Sequence, residues 1–177
     1  MYKIFKDVLP EHIRLAALAT FPDESWEHWH HYESGKLATK DRDRIPPACL
    51  DALSYIALVC RPDEGFYDPD LVGAGLHYMP AGSALGEHTD ATFASNRPWR
   101  RTGSLVYFPE KFDGGQLVVA GDVIRPEVNT AVLFSGGQLH EVLTTYTPRR
   151  TFALFSYVVD HSKKSTTRAN FTRSTQL

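Results

Sequence analysis

His88-Thr89-Asp90, then His140 and the pair Arg149-Arg150, are the residues of this sequence best equipped for chemistry. On an extended strand, side chains two apart point to the same side, so His88 and Asp90 can aim at one ion. His140 must then arrive from a distant strand lying alongside. Two imidazoles and one carboxylate cap one face of an octahedral metal and leave three positions open, the facial triad of non-haem iron(II) oxygen chemistry. Zn(II), Mn(II) or Co(II) can occupy the same donors. An H-x-D alone is a common chance pairing of surface residues, so its weight comes from its surroundings. The arginine pair adds a permanent cation suited to gripping a carboxylate through two hydrogen bonds.

The elements that must position these residues change in character along the chain. Residues 10–20 predict a helix: Pro10 can open it, and Ile13, Ala16, Ala17 and Leu18 supply an apolar stripe. Residues 26–33, rich in Trp, His and Tyr, predict a strand, and the polar residues 34–45 a loop. Pro46-Pro47 precede a second helix with Leu50, Leu53, Ala57 and Cys60 at helical spacing. From about residue 72, β-branched and aromatic runs alternate with turn residues. Val72–Met79, Ser104–Phe108, Gln116–Val119, Val123–Arg125, Thr130–Phe134 and Thr151–Val159 predict strands, with turns at Asp113-Gly114-Gly115, Ala120-Gly121-Asp122 and Ser135-Gly136-Gly137. The fold class expected is α+β, mainly β: a jelly-roll (double-stranded β-helix) core over about 72–160, helical support over 1–71 and a polar tail over 161–177, in one domain of 177 residues.

Residues 76–159 carry an ordered set of motifs: Tyr78 to Gly82, His88 to Asp90, Val106-Tyr107-Phe108, Gly114-Gly115-Gln116-Leu117, Val132-Leu133-Phe134, His140-Glu141-Val142 and Arg150. In order and spacing this resembles the iron(II)- and 2-oxoglutarate-dependent dioxygenases of the prolyl hydroxylase type. The resemblance implies that His88, Asp90 and His140 bind Fe(II). It implies that Arg150 pairs with the distal carboxylate of 2-oxoglutarate, with Arg149 as competitor because strand neighbours face opposite sides, and that Tyr78 hydrogen-bonds the same cosubstrate. It implies a hydroxylase of an unactivated C–H bond that consumes O2, with ascorbate as an optional reductant, and releases succinate and CO2. The substrate would be a prolyl residue of a peptide or protein, or else a free amino acid or small metabolite. Ala81 interrupts the usual Pro-Gly turn, and Ser156 stands where the family often has a large residue.

Net charge of -2 and a pI near 6.4 call for neither nucleic acid nor a membrane surface as partner. The two cysteines, Cys49 and Cys60, lie about three turns apart on one helix and cannot bridge. Reduced thiols, no signal-like N-terminus and no long apolar run lead to the expectation of a cytoplasmic protein. Two further clusters invite a functional reading. Trp26, His28, Trp29, His30 and His31 read as a packed aromatic strand that can line a substrate cleft. The segment Ala91–Thr102, with Asn96, Arg97, Trp99, Arg100 and Arg101, reads as a loop beside the metal mouth or as a solvated basic loop. Glu87, Glu141, His77 and His161 are not assigned as ligands. Two other readings compete: a non-catalytic jelly-roll binding protein with a structural metal, and a cupin-like metalloenzyme that uses no oxo acid and leaves Arg150 without a cosubstrate.

Overall fold

A computed structural model describes residues 1–67, 74–90, 99–125 and 127–159. In chain order the elements are β1 (Tyr2–Phe5), α1 (Glu11–Thr20), β2 (Trp29–His31), β3 (Leu37–Thr39), α2 (Pro47–Val59), β4 (Phe66–Tyr67), β5 (Gly75–Met79), β6 (Leu85–His88), β7 (Trp99–Phe108), β8 (Leu117–Val119), β9 (Asp122–Ile124), β10 (Thr130–Ser135), β11 (His140–Val142) and β12 (Arg149–Val159). A large antiparallel sheet runs β1-β10-β7-β12-β5-β3-β2, with β4 beside β12, and a four-stranded sheet runs β6-β11-β8-β9. Chain-distant strands lie side by side, as a jelly roll requires.

The two faces of the large sheet serve different layers. Leu76, Tyr78, Leu105, Tyr107, Phe152 and Leu154 face the helices and meet Ala17, Cys49, Leu53 and Ile56. Their strand neighbours Met79, Phe108, Val132 and Phe134 face the small sheet and pack on Leu117, Val119, Ile124 and Val142. Each large side chain so buried contributes about 1.5–3 kcal/mol. The helices start where proline permits: Pro10 and Pro46 occupy the cap positions with φ of -54° and -53°, and Pro47 opens α2. Among the described residues no helix is long and apolar enough to cross a membrane.

The N-terminal third supplies strands as well as helices, because β1, β2 and β3 extend the large sheet. β3 and the 3-10 turn Arg42–Arg44 lie where the polar composition of 34–45 predicts only loop. Thr39 explains the difference. Its hydroxyl accepts from Leu76 N at 2.7 Å and donates to Leu76 O at 3.2 Å, satisfying backbone groups that a more apolar strand would leave to its neighbour. Strand β7 also begins at Trp99, so Trp99–Thr102 are strand rather than loop. Asn96, Arg97, Val72, His161 and the polar tail lie outside the described residues.

Candidate metal centre

Strands β6 and β11 pair with His88 directly opposite His140, which brings the two imidazoles together across one antiparallel step. Their ring centroids are 4.2 Å apart. Asp90 follows β6 and faces both: His88 Nε2 lies 3.9 Å from Oδ1 and His140 Nε2 lies 3.6 Å from Oδ2. One donor atom from each of the three residues falls within 4.8 Å of the others. His88 Nδ1 is 2.7 Å from Gly86 O and His140 Nδ1 is 3.0 Å from Gln138 O. A carbonyl oxygen only accepts, so each Nδ1 carries the ring proton and each Nε2 turns its lone pair to the shared point. Burial lowers the pKa of His140 and favours the neutral imidazole a metal needs. Asp90 is oriented in turn: Ser104 Oγ donates to Oδ2, and Arg101 donates to its backbone carbonyl at 3.0 Å. Glu87 and Glu141, beside the histidines, stand outside this donor group.

Strand β12 decides which arginine shares the cavity. Arg149 lines it together with His88, Asp90 and His140, whereas Arg150 does not. Arg150 faces the helical side, where Nε and Nη2 reach the two carboxylate oxygens of Glu110, each at 2.5 Å. Of the two candidates for a carboxylate partner, Arg149 and not the expected Arg150 therefore faces the cavity of the three donors. Tyr78, expected on the same cavity, also faces away from it. It pairs with Arg150 across β5 and β12 and turns to the helical side, with its ring centroid 6.3 Å from that of Trp29. The residues of β5 on the cavity side are His77 and Met79.

Arg149 is 3 % exposed, and its Nε and Nη2 have no hydrogen-bond partner among the described residues. Nη1 meets only Met79 Sδ, at 3.6 Å, while the guanidinium lies over Phe108 and Phe112 at 5.3 and 5.4 Å. Burial without a counter-charge pushes its pKa down to about 9. The hydroxyl of Thr151, two residues along and on the same side of β12, is buried and unpartnered as well. A buried cation and hydroxyl left open side by side form a receptor for an anion that accepts hydrogen bonds. Thr151 goes unmarked in the sequence reading, although its position two beyond Arg149 gives it the same facing.

The family comparison bears on the stretch that holds all these residues. Residues 74–157 match the model of the 2OG-Fe(II) oxygenase superfamily. That stretch is similar to the 2OG-Fe(II) oxygenases. No curated relative matches it in sequence. Among solved structures, it is similar to a prolyl-4-hydroxylase from Pseudomonas putida at TM-score 0.62 and 19% identity, over 88% of this chain and 91% of that one. It is also similar to a prolyl hydroxylase from Trichoplax adhaerens, solved with a hypoxia inducible factor peptide fragment, at TM-score 0.63 and 17% identity, over 90% and 84%. A viral collagen prolyl hydroxylase from Paramecium Bursaria Chlorella virus-1, solved with 2OG, gives TM-score 0.58 and 11% identity, over 89% and 96%. At these identities the likeness concerns the fold: this chain shares the mainly β architecture of those hydroxylases.

The residues of this site fit the two groups for which the matched superfamily is named. The donor set suits Fe(II), with two imidazole nitrogens presented at one point beside a carboxylate. The open hydrogen-bonding groups of Arg149 and Thr151 suit the far carboxylate of a dicarboxylic acid.

Proposed function

We propose that this chain is an Fe(II)- and 2-oxoglutarate-dependent hydroxylase in which His88, Asp90 and His140 hold the metal. Arg149, helped by Thr151, would grip the distal carboxylate of 2-oxoglutarate. The observation that carries the reading is the unpaired guanidinium of Arg149 in the same cavity as the three donors. Leaving a charge buried without a partner costs several kcal/mol, and a bound diacid would offset that cost. When bound, iron and 2-oxoglutarate supply the activation of O2 that hydroxylates an unactivated C–H bond, with succinate and CO2 released. The chain's own part is to orient and to exclude water. The carbonyls of Gly86 and Gln138 fix the imidazoles, and Ser104 and Arg101 fix Asp90. Phe134, Val106, Leu117 and Val142 supply an apolar lining. The likeness to prolyl hydroxylases supports a prolyl unit as the first substrate class to test.

The test begins under nitrogen. Adding Fe(II) and then 2-oxoglutarate to the purified protein should produce the weak visible charge-transfer band of the ferrous cosubstrate complex. Admission of oxygen should convert 2-oxoglutarate to succinate. His88→Ala and Asp90→Ala should abolish both signals. Metal binding with neither a band nor 2-oxoglutarate consumption would overturn the reading.

A further inference from the structure

A second cation, Lys36, lines the cavity of the three donors beside Arg149. Lys36 stands at the end of the β2–β3 hairpin, immediately before β3. Leu37 pairs with Tyr78 and Met79 pairs with Arg149, so Lys36 and Arg149 flank Met79 on the cavity side of the large sheet. Both line the cavity that holds His88, Asp90 and His140. The hairpin holds Lys36 in place through its backbone: Tyr32 N donates to Lys36 O at 2.9 Å and Gly35 N donates to Tyr32 O at 3.0 Å. The ammonium lies 5.3 Å from the centre of the Tyr32 ring, and the His30 ring packs edge-on against Tyr32 with centroids 4.6 Å apart.

This ammonium makes no hydrogen bond or ion pair with any described residue. Asp90 is near enough to favour its charged form, but that carboxylate already serves the metal centre, Ser104 and Arg101. Burial dominates and lowers the Lys36 pKa to about 8, with Arg149 and Arg101 pushing the same way. A 2-oxoglutarate molecule has two ends. One would go to the metal and the other to Arg149 and Thr151, so the anion for Lys36 must come from the other reactant.

We propose that Lys36 is a specificity-determining residue that receives a carboxylate of the substrate and so holds the target C–H bond against the metal centre. This rests on the hydroxylase reading above. The substrate is then an acid whose carboxylate lies a few atoms from the carbon oxidised, with Tyr32 and His30 as the wall beside it. The carboxylate has two sources: the α-carboxylate of a free amino acid, or the side chain of an acidic residue next to the target in a peptide.

The experiment uses two matched pairs of probes: L-proline with L-prolinamide, and N-acetyl-prolyl-glutamate amide with its glutamine counterpart. Wild type, Lys36→Met and Lys36→Arg are each loaded anaerobically with Fe(II) and 2-oxoglutarate, and the visible band is recorded before and after each probe. The band before any probe reports the hydroxylase reading; its absence in wild type overturns that reading and this proposal with it. Given the band, the carboxylate member of at least one pair should perturb it at about ten- to hundredfold lower concentration than its neutral partner, the expected worth of a charge-assisted hydrogen bond. Lys36→Met should erase that preference and Lys36→Arg should keep it. Which pair responds distinguishes a free amino acid from an acidic peptide. Equal response to both members, a preference that survives Lys36→Met, silence from all four probes, or loss of the initial band in Lys36→Met would each overturn the proposal. The last would assign Lys36 to the cosubstrate.

Discussion

Arg149 and Arg150 are adjacent and chemically identical, so the difference between them is entirely one of surroundings. Arg149 lacks a counter-charge, and Arg150 has both oxygens of Glu110. Arg149→Met should therefore abolish the band formed by 2-oxoglutarate and the melting-temperature rise the cosubstrate gives. It should leave the ligand-free protein as stable as wild type or more so, because a buried unpaired charge is replaced by an apolar chain of similar length. Arg150→Met should keep the 2-oxoglutarate response and cost roughly 1 kcal/mol, the worth of a partly exposed ion pair, read by urea unfolding. The reverse pattern would restore Arg150 to the cosubstrate. The sequence makes the three metal donors legible because their types are distinctive and the two-residue spacing of His88 and Asp90 carries its own geometry. It hides the facing of Arg149 and Tyr78. Both sit on strands covered on one side by helices and on the other by the second sheet, as the unbroken burial of β5 shows. A strand buried on both faces has no polar alternation to reveal which side is which.

Short elements do most of the positioning, and they are the ones a sequence shows least. β6 and β11 have four and three residues and carry glycine, glutamate and histidine, so neither has the apolar run that marks a strand. The long strands β10 and β12 and the second half of β7 are legible because branched and aromatic residues fill them. The turns are tied together by Thr145, whose hydroxyl reaches Pro80 O at 2.7 Å and Ser83 O at 3.1 Å while Gly115 N donates to Thr144 O at 2.8 Å. Gly115 has φ +59°, and a Cβ there would lie 2.8 Å from Thr145 Cγ2 and 3.0 Å from Arg149 Cδ. Gly115→Ala is thus expected to act twice. Left-handed strain should cost about 1–2 kcal/mol in chemical unfolding. The push on the Arg149 stem should raise the half-saturating 2-oxoglutarate concentration about tenfold, the effect of a weakened charge-assisted contact. A loss of stability with unchanged 2-oxoglutarate binding would show that the turn does not set the arginine.

At the scale of the whole molecule, α2 closes the helical side of the core with two thiols that the fold keeps from ionising. Cys49 and Cys60 are fully buried among Ala17, Ile56 and the outer face of the large sheet. Cys49 Sγ donates to Ala17 O at 3.4 Å. Burial raises the Cys49 pKa from 9.0 to about 11 and that of Cys60 from 9.0 to about 12. A folded value above the unfolded one means that the folded state holds more protons in the interval between them. This contribution is complete below pH 9 and is lost as pH climbs toward 11 and 12. Once the unfolded thiols ionise, each should contribute a loss of about 1.4 kcal/mol per pH unit. Tyr67 and Tyr107, whose pKa values burial also raises, join above pH 10. Lys36 and Arg149 act with the opposite sign. Burial lowers their pKa values to about 8 and about 9, so the folded state sheds their protons first and stability rises with pH above those values. Urea unfolding across pH 8 to 10.5 should show the thiols offsetting that rise from pH 9 upward. A Cys49→Ala, Cys60→Ala double variant should be less stable at pH 8, through lost packing, yet its slope through pH 9–10 should be more positive by about 1.4 kcal/mol per pH unit for each thiol removed, before the tyrosines titrate. A thiol reagent at pH 8 should label both cysteines only as fast as the core opens. An unchanged slope in the double variant, or rapid labelling of the folded protein, would mean that α2 does not seal this face of the sheet.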